Sequence, residues 1–189
     1  MRAALHLMGE HGADRVGPSD IVKHLGIARA DMKACFPSED DLWAEVVAAQ
    51  GARMQDNWNA IVASDQTAAG KLRSLVAVQA GLVMGTPALP ATLFSCRWRA
   101  DSPVLRDGFL RIRHRFRELL EQVVEQGGRS GELSASVDAD EAARQIVEAF
   151  QGIVASWWLT ADSTKVISAI WTAIDHIVNP PGTPARQAS

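Results

Sequence analysis

Apolar positions along this chain recur at helical spacing almost throughout, and no stretch alternates in the manner of a strand. Met1, Ala4, Leu5 and Met8 predict a helix over residues 1 to 11, closed by Gly12. A second short helix is expected from Gly17-Pro18, because proline suits a first helical position whose N–H would be unpaired anyway. Ile21, Val22 and Leu25 are its inward face, Gly26 permits a tight turn, and Ile27 is expected to plug the core beneath it. A third helix, Ala28 to Cys35, offers Met32 and Phe36 to the same core. Pro37-Ser38 then breaks the chain, and Ser38 with Asp41 forms a capping-box pair for a fourth helix. That helix runs from about Glu39 to Ala63 and buries Leu42, Val46, Val47, Met54, Trp58 and Ile61.

The second part continues in longer helices. Leu72, Leu75, Val76, Val78 and Leu82 mark one over 67 to 84. Leu93, Phe94 and Trp98 mark one over roughly 90 to 99. After Ser102-Pro103, Leu105, Phe109, Ile112, Phe116, Leu119 and Val123 form an unbroken stripe that is expected to end at Gly127-Gly128. A loop follows to Val137. The next helix, 138 to 160, carries Ala143, Ile146, Val147, Phe150, Val154 and Trp157. Its mid-helix Gly152 costs about 1 kcal/mol against alanine, which suggests a close helix crossing. The last helix, 163 to 178, carries Val166, Ile167, Ile170, Trp171, Ile174 and Ile177. The proline-containing end, 179 to 189, reads as a disordered tail. The fold class is therefore all-α: a three-helix helix-turn-helix head followed by a helical domain, about nine helices in all. The division expected is 1–45 for the head, 46–178 for the second domain and 179–189 for the tail.

Composition narrows the function. The chain has 189 residues, 47% hydrophobic and 22% charged, as an ordinary globular chain does. The net charge of −3 gives no global basic field for nucleic acid. Two distant cysteines, Cys35 and Cys96, make neither a disulfide framework nor a metal knuckle, and are expected as plain buried thiols in a reducing compartment. No apolar run approaches a membrane span and His6 interrupts any leader-like stretch, so a cytoplasmic protein is expected.

Catalytic signatures are absent: no phosphate-cradling glycine loop, no nucleophile elbow, no paired carboxylates in an apolar cleft. The expectation is no enzyme, no catalytic residue and no cofactor. His114 and Glu118 sit four apart, but no further His or Cys lies at ligand spacing, so no metal is expected. The seven arginines from Arg97 to Arg117 read better as a solvated face paired with carboxylates than as a cavity for an acidic ligand.

The helix-turn-helix grammar, with Ala3-Ala4-Leu5, Gly12, Asp20-Ile21, Gly26-Ile27, Phe36, Pro37-Ser38 and Asp40-Asp41-Leu42 in this order, resembles the TetR family of transcriptional regulators. Gly131-Glu132-Leu133 and the helix from Ala142-Ala143 to Gly152 resemble that family's ligand domain. The resemblance implies a ligand-responsive regulator of double-stranded DNA, most simply a repressor released from a palindromic operator by a small apolar molecule. It implies DNA contacts at Lys23, His24, Arg29 and Lys33. Trp58, Met84, Phe94, Trp98, Phe116 and Trp157 are the candidates to line the ligand pocket. It implies a homodimer through the last two helices, with Phe150, Val154, Ile167, Ile170, Trp171 and Ile174 as interface candidates.

The chain departs from the family pattern where the family touches DNA. The recognition-helix cap is Ala28 rather than Ser or Thr. Asp31 stands where Thr is usual, Lys33 and Cys35 at positions often Tyr, and Glu39 where Lys is usual. Residues 18 to 41 hold three basic and five acidic side chains, a net −2. The alternative reading is a small-molecule or protein binding module on the same scaffold that has lost DNA binding. The chain begins inside its first helix, without the basic lead-in of many relatives, which leaves open a native start upstream of Met1.

Overall fold

The computed structural model describes residues 2–86, 102–160 and 165–180. Among these there are eight α-helices and no strand: α1 (Arg2–His11), α2 (Pro18–Leu25), α3 (Arg29–Cys35), α4 (Glu39–Val62), α5 (Ala68–Gly85), α6 (Pro103–Ser130), α7 (Ala139–Thr160) and α8 (Val166–Val178), with a 3-10 turn at Ala13–Arg15. The helix expected over 90 to 99 and the tail beyond 180 lie outside the described residues.

The described residues form two compact units. The first takes in Met1–Met54 and Leu82–Arg113, the second Gln55–Gly81 and His114–Ser189. The first unit's core joins Ala4, Leu7 and Met8 of α1, Ile21 of α2, Met32 of α3, Leu42, Trp43, Val46 and Val47 of α4, and Leu105 of α6. Phe109 and Ile112 pack against it from one side of α6. The approach of α4 and α6 is close because each helix gives way with a glycine. A Cβ on Gly108 would lie 2.8 Å from Val47 Cγ1, and one on Gly51 3.0 Å from Ile112 Cγ1.

Capping chemistry sets the helix ends. Asp20 Oδ2 accepts from the Gly17 N–H at 2.9 Å ahead of α2, and Gly26 ends that helix at φ 65°, a left-handed conformation that suits glycine. At α4 the Ser38 hydroxyl accepts from the Asp41 N–H at 3.1 Å, and Asp41 Oδ2 accepts from the Ser38 N–H at 3.0 Å. Ser102, 7% exposed, accepts from the Leu105 N–H at the start of α6 and donates to Asp40 Oδ1 at 2.9 Å.

In the second unit α7 and α8 pack closely, burying Ile146, Val147, Phe150 and Val154 with Val166, Ile170, Ile174 and Val178. Trp58 of α4 is fully buried, its ring 4.9 Å from that of Phe116.

Four local expectations are corrected. Leu25 and Ile27, expected inward, are 49% and 39% exposed. Met32 and Ile21 already close the small three-helix core, and Gly26 turns the chain outward before Ile27 reaches it. Cys35, expected buried, is exposed, because the seven-residue α3 presents only one face to the core. The long α6 does not stop at Gly127-Gly128. It runs to Ser130 and ends before Gly131, whose φ of 78° turns the chain. Gly152 marks no crossing within the described residues: a Cβ there would meet nothing within 4 Å.

Candidate nucleic-acid interface and ligand domain

The exposed side of the first unit is built from α2, the Gly26 turn and α3. In α3 only Met32 is buried, while Arg29, Ala30, Asp31, Lys33, Ala34 and Cys35 all face solvent. A seven-residue helix held by a single buried side chain presents nearly its whole surface to solvent. Ala28, extended at φ −73° and ψ 146°, makes no side-chain cap, as its methyl dictates.

The four expected DNA contacts are all exposed. Arg29 Nη2 donates to Ser19 Oγ at 2.7 Å, which links α3 to the first turn of α2. Arg29 and Lys33 rim a cavity of about 250 Å³ floored by Val22, Met32, Phe36 and Leu42. His24 lies elsewhere: its ring is 5.6 Å from that of His6, and with Lys23 it borders a second, polar cavity of about 630 Å³ beside α1. The structure therefore brings Arg29 and Lys33 together, and Lys23 and His24 together.

Four of the five acidic residues in this segment have local partners. Asp20 caps α2 and Asp41 caps α4. Asp40 holds Ser102, and Glu39 accepts from the Trp43 indole N–H at 3.0 Å. Glu39, Asp40 and Asp41 sit in the first turn of α4, where the helix dipole offsets negative charge. Asp31 differs: it is exposed, and its carboxylate makes no hydrogen bond or ion pair among the described residues.

Of the ligand-pocket candidates, Trp58 and Phe116 come together in the second unit. Trp157 is half-buried and pairs with Trp158 at 6.3 Å, and Met84 is half-buried near the end of α5 in the first unit. Phe94 and Trp98 lie outside the described residues. Among the described residues of the second unit, Trp58 Nε1, Gln79 Oε1 and Arg117 Nε are buried without a hydrogen-bond partner. Lys71 is 5% exposed and forms no ion pair among the described residues. Apolar periodicity singles out Trp58 but carries no signal for Gln79, Arg117 or Lys71.

The arginines of α6 are mostly neutralised. Arg106 meets Asp107 at 3.6 Å, Arg115 meets Glu118 at 3.2 Å and Arg117 meets Asp140 at 2.6 Å. Arg111 and Arg113 are exposed, and Arg97 and Arg99 lie outside the described residues. His114 Nε2 is 3.3 Å from Glu118, and among the described residues no group of three His, Cys, Asp or Glu is arranged to hold a metal. Cys96 lies outside the described residues.

Of the dimer candidates, Phe150, Val154, Ile170 and Ile174 are buried within the protomer between α7 and α8. Ile167 is half-buried, and Trp171 is 39% exposed. Trp158 at 41% and Leu159 at 84% add exposed apolar surface at the end of α7.

Residues 97–173 match the family model described as tetracyclin repressor-like, C-terminal domain. That stretch is therefore similar to the C-terminal domain of TetR-type regulators. Solved TetR-family structures share its fold across nearly its whole length. A TetR transcription regulator from Haloarcula marismortui is 21% identical, with 93% of each chain covered and a TM-score of 0.81. A TetR transcriptional regulator from Legionella pneumophila is 18% identical, with 94% of each chain covered and a TM-score of 0.78. The transcriptional regulator FadR from Bacillus subtilis, solved in complex with stearoyl-CoA, is also 18% identical, covering 94% of this chain and 95% of its own, with a TM-score of 0.78. No curated protein matches the chain. Among the described residues no helix is long and apolar enough to cross a membrane.

Proposed function

We propose that this protein is a dimeric, ligand-responsive DNA-binding regulator of the cytoplasm, acting as a repressor. The observation that carries the reading is the exposed recognition helix α3, tied to α2 by Arg29 and Ser19, with most of the nearby acidic residues engaged at helix ends. A head kept only for folding has no need of an almost wholly solvent-facing third helix with Lys33 and a fixed Arg29 on it. Arg29, Lys33, Lys23 and His24 are the phosphate- and base-contacting candidates. Two-fold symmetry then calls for a palindromic site read in successive major grooves.

The second copy docks on α7 and α8. Gly152, bare among the described residues, and the exposed Trp171 support that assignment, with Ile167 at the edge of the same region. Phe150, Val154, Ile170 and Ile174 support the interface from beneath by holding the two helices together.

The effector is a small, largely apolar molecule that also carries a hydrogen-bond acceptor. A fully buried indole N–H without a partner costs about 1–3 kcal/mol, a cost that a ligand carbonyl or carboxylate would remove. The B. subtilis FadR complex is a precedent within the fold for an acyl ligand. Binding the non-operator conformation better than the operator-competent one would shift the population off DNA.

The test is selection of bound duplexes from a random pool, followed by a salt titration of the winner. An enriched palindrome whose affinity falls steeply with salt is expected. A folded dimer that enriches nothing at low salt refutes the DNA reading and leaves the binding-module alternative, which the net −2 of the head favours.

A further inference from the structure

We infer that Asp31 is a base-reading residue, and that each operator half-site carries a cytosine where Asp31 meets the major groove. This rests on the DNA-binding reading above and deepens it. Three features of the head support it.

Asp31 lies in the first turn of α3, and in a helix-turn-helix the first residues of the second helix are those that reach base edges. Of its two neighbours in that turn, Arg29 donates through Nη2 to Ser19 at 2.7 Å and Ala30 has no polar atom. Asp31 is thus the one side chain of the turn that is polar, exposed and free of any hydrogen bond or ion pair among the described residues. The other four acidic residues nearby are held at helix ends or by side-chain donors, so the free carboxylate is a particular of this position.

Chemistry then selects the partner. A carboxylate only accepts, and phosphate oxygens repel it. In the major groove guanine presents N7 and O6, both acceptors, and thymine presents O4, also an acceptor. Adenine offers its N6 amino group beside the N7 acceptor. Cytosine alone offers an N4 amino donor with no adjacent acceptor, and acidic side chains pair with it on that account. The same charge raises the energy of every register in which α3 slides toward the backbone, so Asp31 adds specificity at the expense of non-specific affinity.

The experiment is pool selection with the full chain, carried out in parallel on wild type, Asp31→Ala and Asp31→Asn. Each variant is checked for an unchanged melting curve, which the exposed and unbonded position predicts. Wild type is expected to enrich a palindrome with cytosine at one position per half-site. Asp31→Ala should lose preference at that position alone, with cytosine discrimination falling by at least about 5-fold and the salt dependence of binding at that site unchanged. Asp31→Asn should move the preference to adenine, whose N6 and N7 an amide can pair together.

Two results overturn the inference while leaving DNA binding intact. One is an Asp31→Ala selection identical to wild type. The other is tighter binding of all sequences by Asp31→Ala with no change in base preference, which would make Asp31 merely a like charge near the backbone. Failure of wild type to enrich any sequence would overturn the DNA-binding reading itself, and this inference with it.

Discussion

Two adjacent glycines near the end of α6 should respond in opposite directions to the same substitution. A Cβ added to Gly127 would lie 2.5 Å from Leu133 Cδ1, 2.6 Å from Leu133 Cγ and 2.8 Å from Ala68 Cβ. Carbon atoms in contact prefer about 3.5–4.0 Å, so something must move. Leu133 has little room to do so. It is 4% exposed, and its N–H donates to the Gly127 carbonyl at 3.0 Å, so its backbone is fastened to the residue being enlarged. Overpacking of this kind costs about 1–3 kcal/mol, against which the better helix propensity of alanine returns about 1 kcal/mol. Gly127→Ala should therefore lose up to about 2 kcal/mol, and Tm should fall by up to roughly 8 °C for a chain of this size. Gly128 has nothing within 4 Å of its added Cβ, so Gly128→Ala keeps only the propensity gain, up to about 1 kcal/mol and a rise of about 2–4 °C. The assay is thermal and urea unfolding by circular dichroism at one fixed protein concentration, since oligomerisation makes Tm concentration-dependent. Leu133→Ala in the Gly127→Ala background should cost less than the sum of the two single changes. Equal shifts for the two glycine variants, or strict additivity with Leu133→Ala, would refute the reasoning.

Trp58→Phe removes the buried, unpaired indole N–H and keeps an aromatic ring against Phe116, so it should cost well under the about 3–5 kcal/mol of deleting a core aromatic. A loss of about 3 kcal/mol or more in urea unfolding would mean that the N–H is satisfied. Ser38→Ala removes the hydroxyl that accepts from the Asp41 N–H and should lower stability by about 1 kcal/mol, read as a Tm drop of about 2–4 °C; an unchanged Tm would deny the cap any role. Glu141 is held below its ordinary carboxylate value by hydrogen bonds from Arg144 and then Gln145. A lowered folded-state pKa favours the fold above the unfolded-state value, and that contribution fades as pH falls through the folded-state value. Arg144→Gln should raise the Glu141 midpoint, followed by carboxyl-carbon NMR titration, and an unmoved midpoint would remove Arg144 as the cause.

Helical periodicity was enough to mark the longer described helices, since each of those buries a stripe at 3.6-residue spacing and that spacing is written in the chain. The end of α2 and the start of α4 were legible for the same local reason. Gly26 and the Ser38–Asp41 pair act within a few residues of themselves, and they sit where the structure uses them. The absence of a cap at Ala28 was equally visible.

What the chain by itself did not reveal depends on residues distant in sequence. Leu25 and Ile27 are apolar at plausible inward positions, yet Ile21 and Met32 fill the small core first, and only the packed arrangement decides which side chains are left outside. Two glycines in a row at 127 and 128 look like a helix end. Helix geometry and the return of Leu133 make one a required notch and the other an ordinary exposed position. The acidic count over 18 to 41 is a sum, and a sum carries no positions. Tertiary contacts and helix ends engage four of those five carboxylates and leave Asp31 facing outward from α3. Local pattern thus determined the helices and their caps, because those interactions close within one or two turns. The open carboxylate of α3, the unpaired indole of Trp58 and the bare Gly152 were decided by the tertiary structure, because burial and partnership are properties of neighbours that the chain brings together only on folding.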